Sequence, residues 1–324
     1  MNQSIGDIVG ILADNLALRK SVMPLSAKQS TAWAKGLNIP HGGTCVLYTG
    51  HMYQLLPYIS TMQKQTEMVR STPLVHTFWI GRLINKFINT TWFMARADAK
   101  QKKIYNRRLR NIALLLRKAN VDFGYLYGKE LYAGALVSDL GGKDILEAHA
   151  RRVYAMLKSE GVKSIITVDP HTTDMLKDMY ATIIPDYDIE VKSYLEVLAE
   201  KDMIPCKKNE GELAIHDSCV YARYMNTIEQ PRKLLANAGI TVKEPAQTGK
   251  FTQCCGGPVE ALYPEKARKF AKERLEQLKA TGCKEAVAMC PICLQNLEHA
   301  AETEDITIRD ISECLYEAYC DDPS

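Results

Sequence analysis

Residues 267–297 read ARKFAKERLEQLKATGCKEAVAMCPICLQNL, and residues 147–176 read EAHARRVYAMLKSEGVKSIITVDPHTTDML. A constant offset pairs Ala150 with Ala271, Leu157 with Leu278, Lys158 with Lys279, Gly161 with Gly282, Pro170 with Pro291 and Leu176 with Leu297. Each copy reads as a helix, a glycine stop, a short strand and a proline-bearing turn into a further helix. In the later copy Pro264 suits a first helical position, where the N–H it lacks would have no helical partner. Ala267, Phe270, Ala271, Leu275 and Leu278 then form one apolar stripe. Gly282 stands where a left-handed residue closes a helix. The strands, Ser164 to Val168 and Glu285 to Met289, are short and apolar, as strands covered on both faces are. The expected class is α/β, as two duplicated half-domains, each a small sheet flanked by helices.

The correspondence runs further upstream. Tyr132-Ala133-Gly134 falls within one residue of the same offset from Cys254-Cys255-Gly256, and Val46 to His51 resembles Leu213 to Cys219, each a short apolar strand entering a turn. The reading divides the chain into an N-terminal extension (1–43), a first half (44–186) and a second half (187–324). Tyr187 to Glu200 reads as a bridging helix and Pro205 to Gly211 as a polar joint. The first half carries an extra helix-prone insertion, about 78–118. It ends in a basic run of Lys100, Lys102, Lys103, Arg107, Arg108, Arg110, Arg117 and Lys118. That run reads as a solvated helix face, with a docking surface for an acidic partner as the alternative. Nucleic acid is not expected, because no aromatic residues are interleaved as stacking platforms.

Ten cysteines lie in the 324 residues. Cys45, Cys206, Cys283, Cys314 and Cys320 are scattered. The other five form a pattern: Cys219, then 34 residues to Cys254-Cys255-Gly256-Gly257-Pro258, then 34 more to Cys290-Pro291-Ile292-Cys293. Thiolates are soft ligands that select iron–sulfur clusters, zinc or copper(I). Cys290 and Cys293 can aim at one centre from a single turn at a helix start, where the helix terminus favours thiolate charge. Adjacent cysteines on an extended strand would point to opposite faces, so Cys254 and Cys255 share a centre only from a tight turn. Gly256 and Gly257 allow that turn. Five thiolates exceed the four of a tetrahedral zinc site and the four usual for a cubane cluster. Either the cluster has an unusual geometry, or four cysteines ligate and one is a free redox thiol. In the first half the equivalent positions hold His51, Tyr132, Ala133, Asp169 and Thr172. His51, Asp169 and His171 read as a vestigial site, and His216 as a strand-end histidine placed to tune nearby sulfur.

Apolar residues make up 46% and charged residues 24%, with a net charge of +3, the balance of a soluble globular protein. The opening residues have no basic segment followed by an apolar one, so no secretory signal is expected. Residues 78–95 are apolar but contain Arg82 and Lys86, too polar for a spanning helix. Clustered cysteines without a signal point to ligation or redox catalysis in a reducing compartment, not to a disulfide framework. The expectation is a cytoplasmic protein with no span of its own, any membrane association coming through partners.

The pattern of Cys219, Cys254-Cys255-Gly256 and Cys290-x-x-Cys293 resembles the cysteine-rich "CCG" domain of the B-type and D-type polypeptides of heterodisulfide reductase and their relatives. The resemblance covers about 44–300 as a tandem pair of CCG-type domains, the first with a degenerate motif. It implies that Cys219, Cys254, Cys255, Cys290 and Cys293 ligate one noncubane [4Fe-4S] cluster at which a disulfide is reduced or formed. The ferredoxin-like Cys-x-x-Cys-x-x-Cys-x-x-x-Cys-Pro segment that the D-type relatives carry is absent from these residues. The implied role is therefore a B-type subunit, an oxidoreductase acting on sulfur groups. Its implied partners are a ferredoxin-like (C-type) iron–sulfur protein, a flavoprotein, and a disulfide or sulfur-carrier substrate. The alternatives are a pure electron-transfer subunit serving a quinone or partner enzyme, and a zinc-stabilised scaffold.

Overall fold

A computed structural model describes residues 3–23, 25–70, 78–85, 97–139, 141–207, 211–257, 260 and 263–320. Helices of eight residues or more are α1 (Gln3–Arg19), α2 (Met52–Arg70), α3 (Phe78–Asn85), α4 (Ala99–Lys118), α5 (Lys143–Ser159), α6 (Glu229–Asn237), α7 (Pro264–Lys279), α8 (Pro291–Ala301) and α9 (Ile311–Tyr319). The strands are β1 (Cys45–Tyr48), β2 (Gly124–Tyr125), β3 (Ser164–Thr167), β4 (Glu190–Ser193), β5 (Gly211–His216), β6 (Ile240–Lys243), β7 (Glu285–Ala288) and β8 (Thr307–Asp310). They make two four-stranded sheets, ordered β2-β1-β3-β4 and β6-β5-β7-β8. The second order repeats the first strand for strand, so the duplication read from the sequence is present in the topology.

In the second sheet every neighbouring pair is parallel, with Ala214 opposite both Lys243 and Ala286, and Val287 opposite Ile215 and Arg309. A parallel strand needs cover on both faces, and β5 and β7 supply apolar residues accordingly: Leu213, Ala214, Ile215, Ala286, Val287 and Ala288 are all buried. Helix α7 starts at Pro264 as expected, and Gly282 beyond its end has φ +82. Its buried face differs from the expected stripe. Phe270 is 40% exposed, and Arg274 is fully buried with Ala267, Ala271, Leu275 and Leu278. The reason is polar: Arg274 finds acceptors inside, described below.

Expected as one bridging helix, Tyr187 to Glu200 instead holds β4 followed by a short helix, Tyr194–Ala199. A capping box makes the switch. Ser193 Oγ accepts from the Glu196 N–H (3.2 Å), and Glu196 Oε2 accepts from the Ser193 N–H (2.8 Å). Together they satisfy two donors that the helix start would leave bare. The second half repeats the device: Asp310 ends β8 and caps α9, with Glu313 three residues on accepting from the Asp310 N–H. Ser193→Ala is expected to cost about 1 kcal/mol of stability, the usual loss for removing an N-cap, measurable by urea denaturation.

The chain packs into two compact units. One comprises Met1–Asn106, Gly124–Ile165 and Met175–Glu190, and the other Arg107–Phe123, Ile166–Asp174 and Val191–Ser324. In the second unit the basic run is not simply a solvated face. Arg108 is 3% exposed, with Nη2 2.7 Å from Glu298 and Nε 3.5 Å from Glu313, while Arg107 reaches Glu313 at 3.0 Å. Among the described residues no helix is long and apolar enough to cross a membrane.

Candidate metal centre

The neighbouring strands β5 and β7 set the site. Residues beyond the C-terminal ends of parallel strands line the crevice where α/β sheets bind ligands, and the segments carrying Cys219 and Cys290 start there. After β5 the chain runs through Asp217 and Ser218 to Cys219. Asp217 is 1% exposed and pins this turn. It takes both Nη atoms of Arg232 at 2.9 Å, accepts from the Gly249 N–H at 2.7 Å, and its carbonyl accepts from Thr252 Oγ1 at 3.0 Å. Burial opposes ionisation, but the bidentate Arg232 holds the Asp217 carboxyl below the usual carboxylate range. The segment leading into Cys254 is thereby tied to the turn carrying Cys219.

Gly256 has φ +81, and a Cβ there would lie 2.7 Å from the Ala267 carbonyl oxygen and 2.8 Å from its Cα. At Gly257 a Cβ would fall on the Ile292 side chain. Only glycines let this turn press against α7 and α8. Asn296 Nδ2 donates to the Cys255 carbonyl at 3.2 Å and fastens the turn from α8. Gly256→Ala is expected to cost about 1–2 kcal/mol for a left-handed alanine and about 1–3 kcal/mol more for overpacking, checked by thermal melts. After β7, Cys290 is the N-cap of α8 and Pro291 its first helical residue, which brings Cys293 to the third position of the same turn.

The structure brings all five thiols together. Cys255, Cys290 and Cys293 are buried, while Cys219 and Cys254 are partly exposed. Cys255 Sγ lies 3.1 Å from Cys293 Sγ. Backbone N–H groups of Gly256 and Gly257 point at Cys254 and Cys255 Sγ, each at 3.4 Å. Hydrogen bonds from Cys219 and Cys255 hold the Cys254 thiol far below its usual range. Despite its burial, Cys290 is also held low, by donors on Cys293 and His171. Donation to Cys254, reinforced by burial, drives Cys219 up, and Cys255 and Cys293 are likewise raised. Five neighbouring thiols cannot all ionise in a desolvated pocket, because each new charge raises the cost of the next. A polycationic centre removes that conflict, so the donor set fits an iron–sulfur cluster.

Two histidines flank the sulfurs. His171, on the short helix Pro170–Asp174 that ends the first-half repeat, donates to Cys290. Asp169 beside it is fully buried, and burial pushes its carboxyl up to about 6. His216 ends β5 at 1% exposure, and one of its ring nitrogens lies within 4.8 Å of both Cys255 and Cys293 Sγ. Arg274 Nε donates to His216 Nδ1 at 3.0 Å, and its other nitrogens reach the Gln247 carbonyl, Gln277 Oε1 and the Ile215 carbonyl. Sequence reasoning missed Arg274. Its signal was a charged residue set at helical spacing between Ala271 and Leu278.

The first-half positions divide between the units. His51 and Tyr132 belong to the first, Asp169 and Thr172 to the second. His51 is buried with φ +60, 3.7 Å from Glu130. Burial lowers His51 to about 4 and lifts Glu130 to about 8, a pair that is neutral near pH 7. Among the described residues, His216, Cys255 and Cys293 are the three metal-capable side chains whose ligand atoms all lie within 4.8 Å of one another. None of Cys45, Cys206, Cys283, Cys314 and Cys320 is disulfide-bonded among the described residues.

Residues 213–298 match the family of cysteine-rich domains designated CCG. The chain is 30% identical over 231 residues to a probable membrane-anchored ferredoxin of Chromohalobacter salexigens, covering 67% of this chain and 34% of that protein. It is 31% identical over 231 residues to an EtfAB:quinone oxidoreductase of Syntrophomonas wolfei, covering 66% and 32%. It is also 28% identical over 273 residues to a probable iron-sulfur-binding oxidoreductase, FadF, of Bacillus subtilis, covering 80% and 35%. The chain thus spans about a third of the length of these relatives.

Proposed function

The chain carries a cysteine-rich domain of the CCG family, and from that premise we propose that it is an iron–sulfur subunit whose single cluster serves thiol–disulfide redox chemistry. The observation carrying this reading is the gathering of Cys219, Cys254, Cys255, Cys290 and Cys293 into one partly buried, hydrogen-bonded set of thiols. When bound, an iron–sulfur cluster supplies one-electron chemistry at iron with affinity for sulfur ligands. The protein's part is to bind and orient it: three buried cysteines, a glycine turn that brings backbone N–H groups to sulfur, and an α8 terminus that favours thiolate. Cys219 and Cys254, partly open to solvent, are the thiols that a sulfur substrate would meet. Reduction of a disulfide consumes two electrons and two protons and releases two thiols. One cluster passes electrons singly, so the reading requires an external carrier, of which a ferredoxin-like iron–sulfur protein is the natural class, with a flavoprotein behind it.

A pure electron-transfer role is the second reading. Relatives named as a ferredoxin and as a quinone oxidoreductase favour it. Anaerobic purification with iron and acid-labile sulfide analysis, followed by EPR with and without added thiol or disulfide, separates these readings. About four irons and four sulfides per chain, with spectra altered by disulfide, support the first. The same content with spectra indifferent to sulfur compounds supports the second. Zinc without sulfide would sink both and leave a structural site.

A further inference from the structure

We propose that His216 is a hydrogen-bond donor to the cluster and not one of its ligands, and that Arg274 is the positioning residue that fixes it in that role. The inference rests on the cluster-binding reading above and concerns a histidine–arginine pair outside the cysteine motif.

A neutral imidazole carries one hydrogen, on either Nδ1 or Nε2, and the neighbour of one nitrogen decides the state of the other. Histidines that ligate metals donate their second N–H to a carboxylate, carbonyl or water, which leaves the ligating nitrogen bare. His216 has the opposite arrangement. Its Nδ1 faces the Nε–H of Arg274 at 3.0 Å, and a guanidinium has only donors to offer. Nδ1 must therefore be the acceptor, and the single hydrogen sits on Nε2.

Arg274 has little freedom to offer anything else. It is fully buried in α7, and its remaining nitrogens are held by Gln247, Gln277 and Ile215. Meanwhile Nε2 is buried without a hydrogen-bond partner. A buried N–H left unpaired costs about 1–3 kcal/mol, so Nε2 is a donor awaiting an acceptor. The acceptors to hand are the sulfur of Cys255 and Cys293, both within 4.8 Å of the ring, and the sulfides of a cluster that they hold. An N–H directed at cluster sulfur favours the more electron-rich reduced state, and hydrogen bonds to sulfur are among the levers that set a cluster's potential.

The test uses the anaerobically purified whole chain labelled with 15N-histidine and exchanged into D2O, read by pulsed EPR of the reduced cluster. The expected result is an exchangeable proton coupled to the cluster, absent from His216→Leu, with no directly coordinated histidine nitrogen. A strong 15N coupling would make His216 a ligand and overturn the proposal. In redox titration, His216→Leu is expected to favour the oxidised cluster at least tenfold, a fall of ~59 mV for one electron. His216→Gln, which keeps an N–H, should recover most of that shift. Arg274→Met is expected to weaken the proton coupling, because the ring can then place its hydrogen on either nitrogen. An unchanged coupling would remove Arg274 from the role given to it. Wild-type protein with iron but no exchangeable coupling overturns this inference alone, whereas protein that takes up no iron and sulfide overturns the cluster reading with it.

Discussion

Alanine at Cys290 is expected to lower the iron bound per chain by at least about tenfold, with Cys255 and Cys293 behaving alike. Outer partners of metal ligands already cost about 10–100-fold when removed, and a ligand itself should cost no less. The three are buried, so no water replaces the missing sulfur cheaply. Cys219 and Cys254 are partly exposed, so alanine there is expected to lose less iron while losing the response to disulfide. Cys314→Ala is the control: it is 1% exposed in α9 and takes no part in the sulfur set. Iron analysis across this series checks the assignment. Equal loss at Cys314 would show that the effect is unfolding and not ligation.

Asp217→Ala is expected to destabilise the second unit by about 3 kcal/mol. Breaking a buried ion pair from one side costs about 3–5 kcal/mol, and the lower end applies because Arg232 keeps Glu244 at 2.7 Å. For a domain of this size that corresponds to a fall in melting temperature of about 6–12 °C. The same change releases the Gly249 amide, so iron loading should fall more than stability alone explains. Asp217→Asn keeps one acceptor oxygen but loses the charge and the second acceptor, and should lie between. A melting temperature within a degree of the parent would refute the anchoring role.

The duplicated α/β plan was legible because its signals are local: apolar strands, the glycine after each helix, the proline opening the next. The five thiols were legible for the same reason, since spacing alone grouped them. What escaped depends on contacts between distant segments. Strand β4 has only the four residues EVKS and is followed by helix-forming YLEVLA, so propensity favoured a longer helix. The Ser193–Glu196 box was the signal that would have divided it. On α7, the apolar stripe read from the sequence takes in Phe270 and passes over Arg274, whereas the structure leaves Phe270 40% exposed and buries Arg274. Burial of an arginine requires acceptors, and those on β5 and near Gln247 lie far away in sequence. The contact of His171 with Cys290 was hidden similarly, because a residue first read as part of a vestigial site lies beside the intact one.

The division of the chain among its compact units bears on how it is synthesised. The second unit takes Arg107–Phe123 and Ile166–Asp174 from within the span of the first and is completed only by Val191–Ser324. These early segments leave the ribosome long before the strands that they will pack with. Arg108 must wait 190 residues for Glu298, a period in which unsatisfied apolar surface invites aggregation. Cys290 and Cys293 leave the ribosome after Cys219, Cys254 and Cys255, so the five-thiol set is complete only once they have emerged. For the same reason, a fragment cut at the duplication boundary would leave behind His171 and the Arg108 ion pairs, and the cysteine-bearing half is expected to express poorly when severed there.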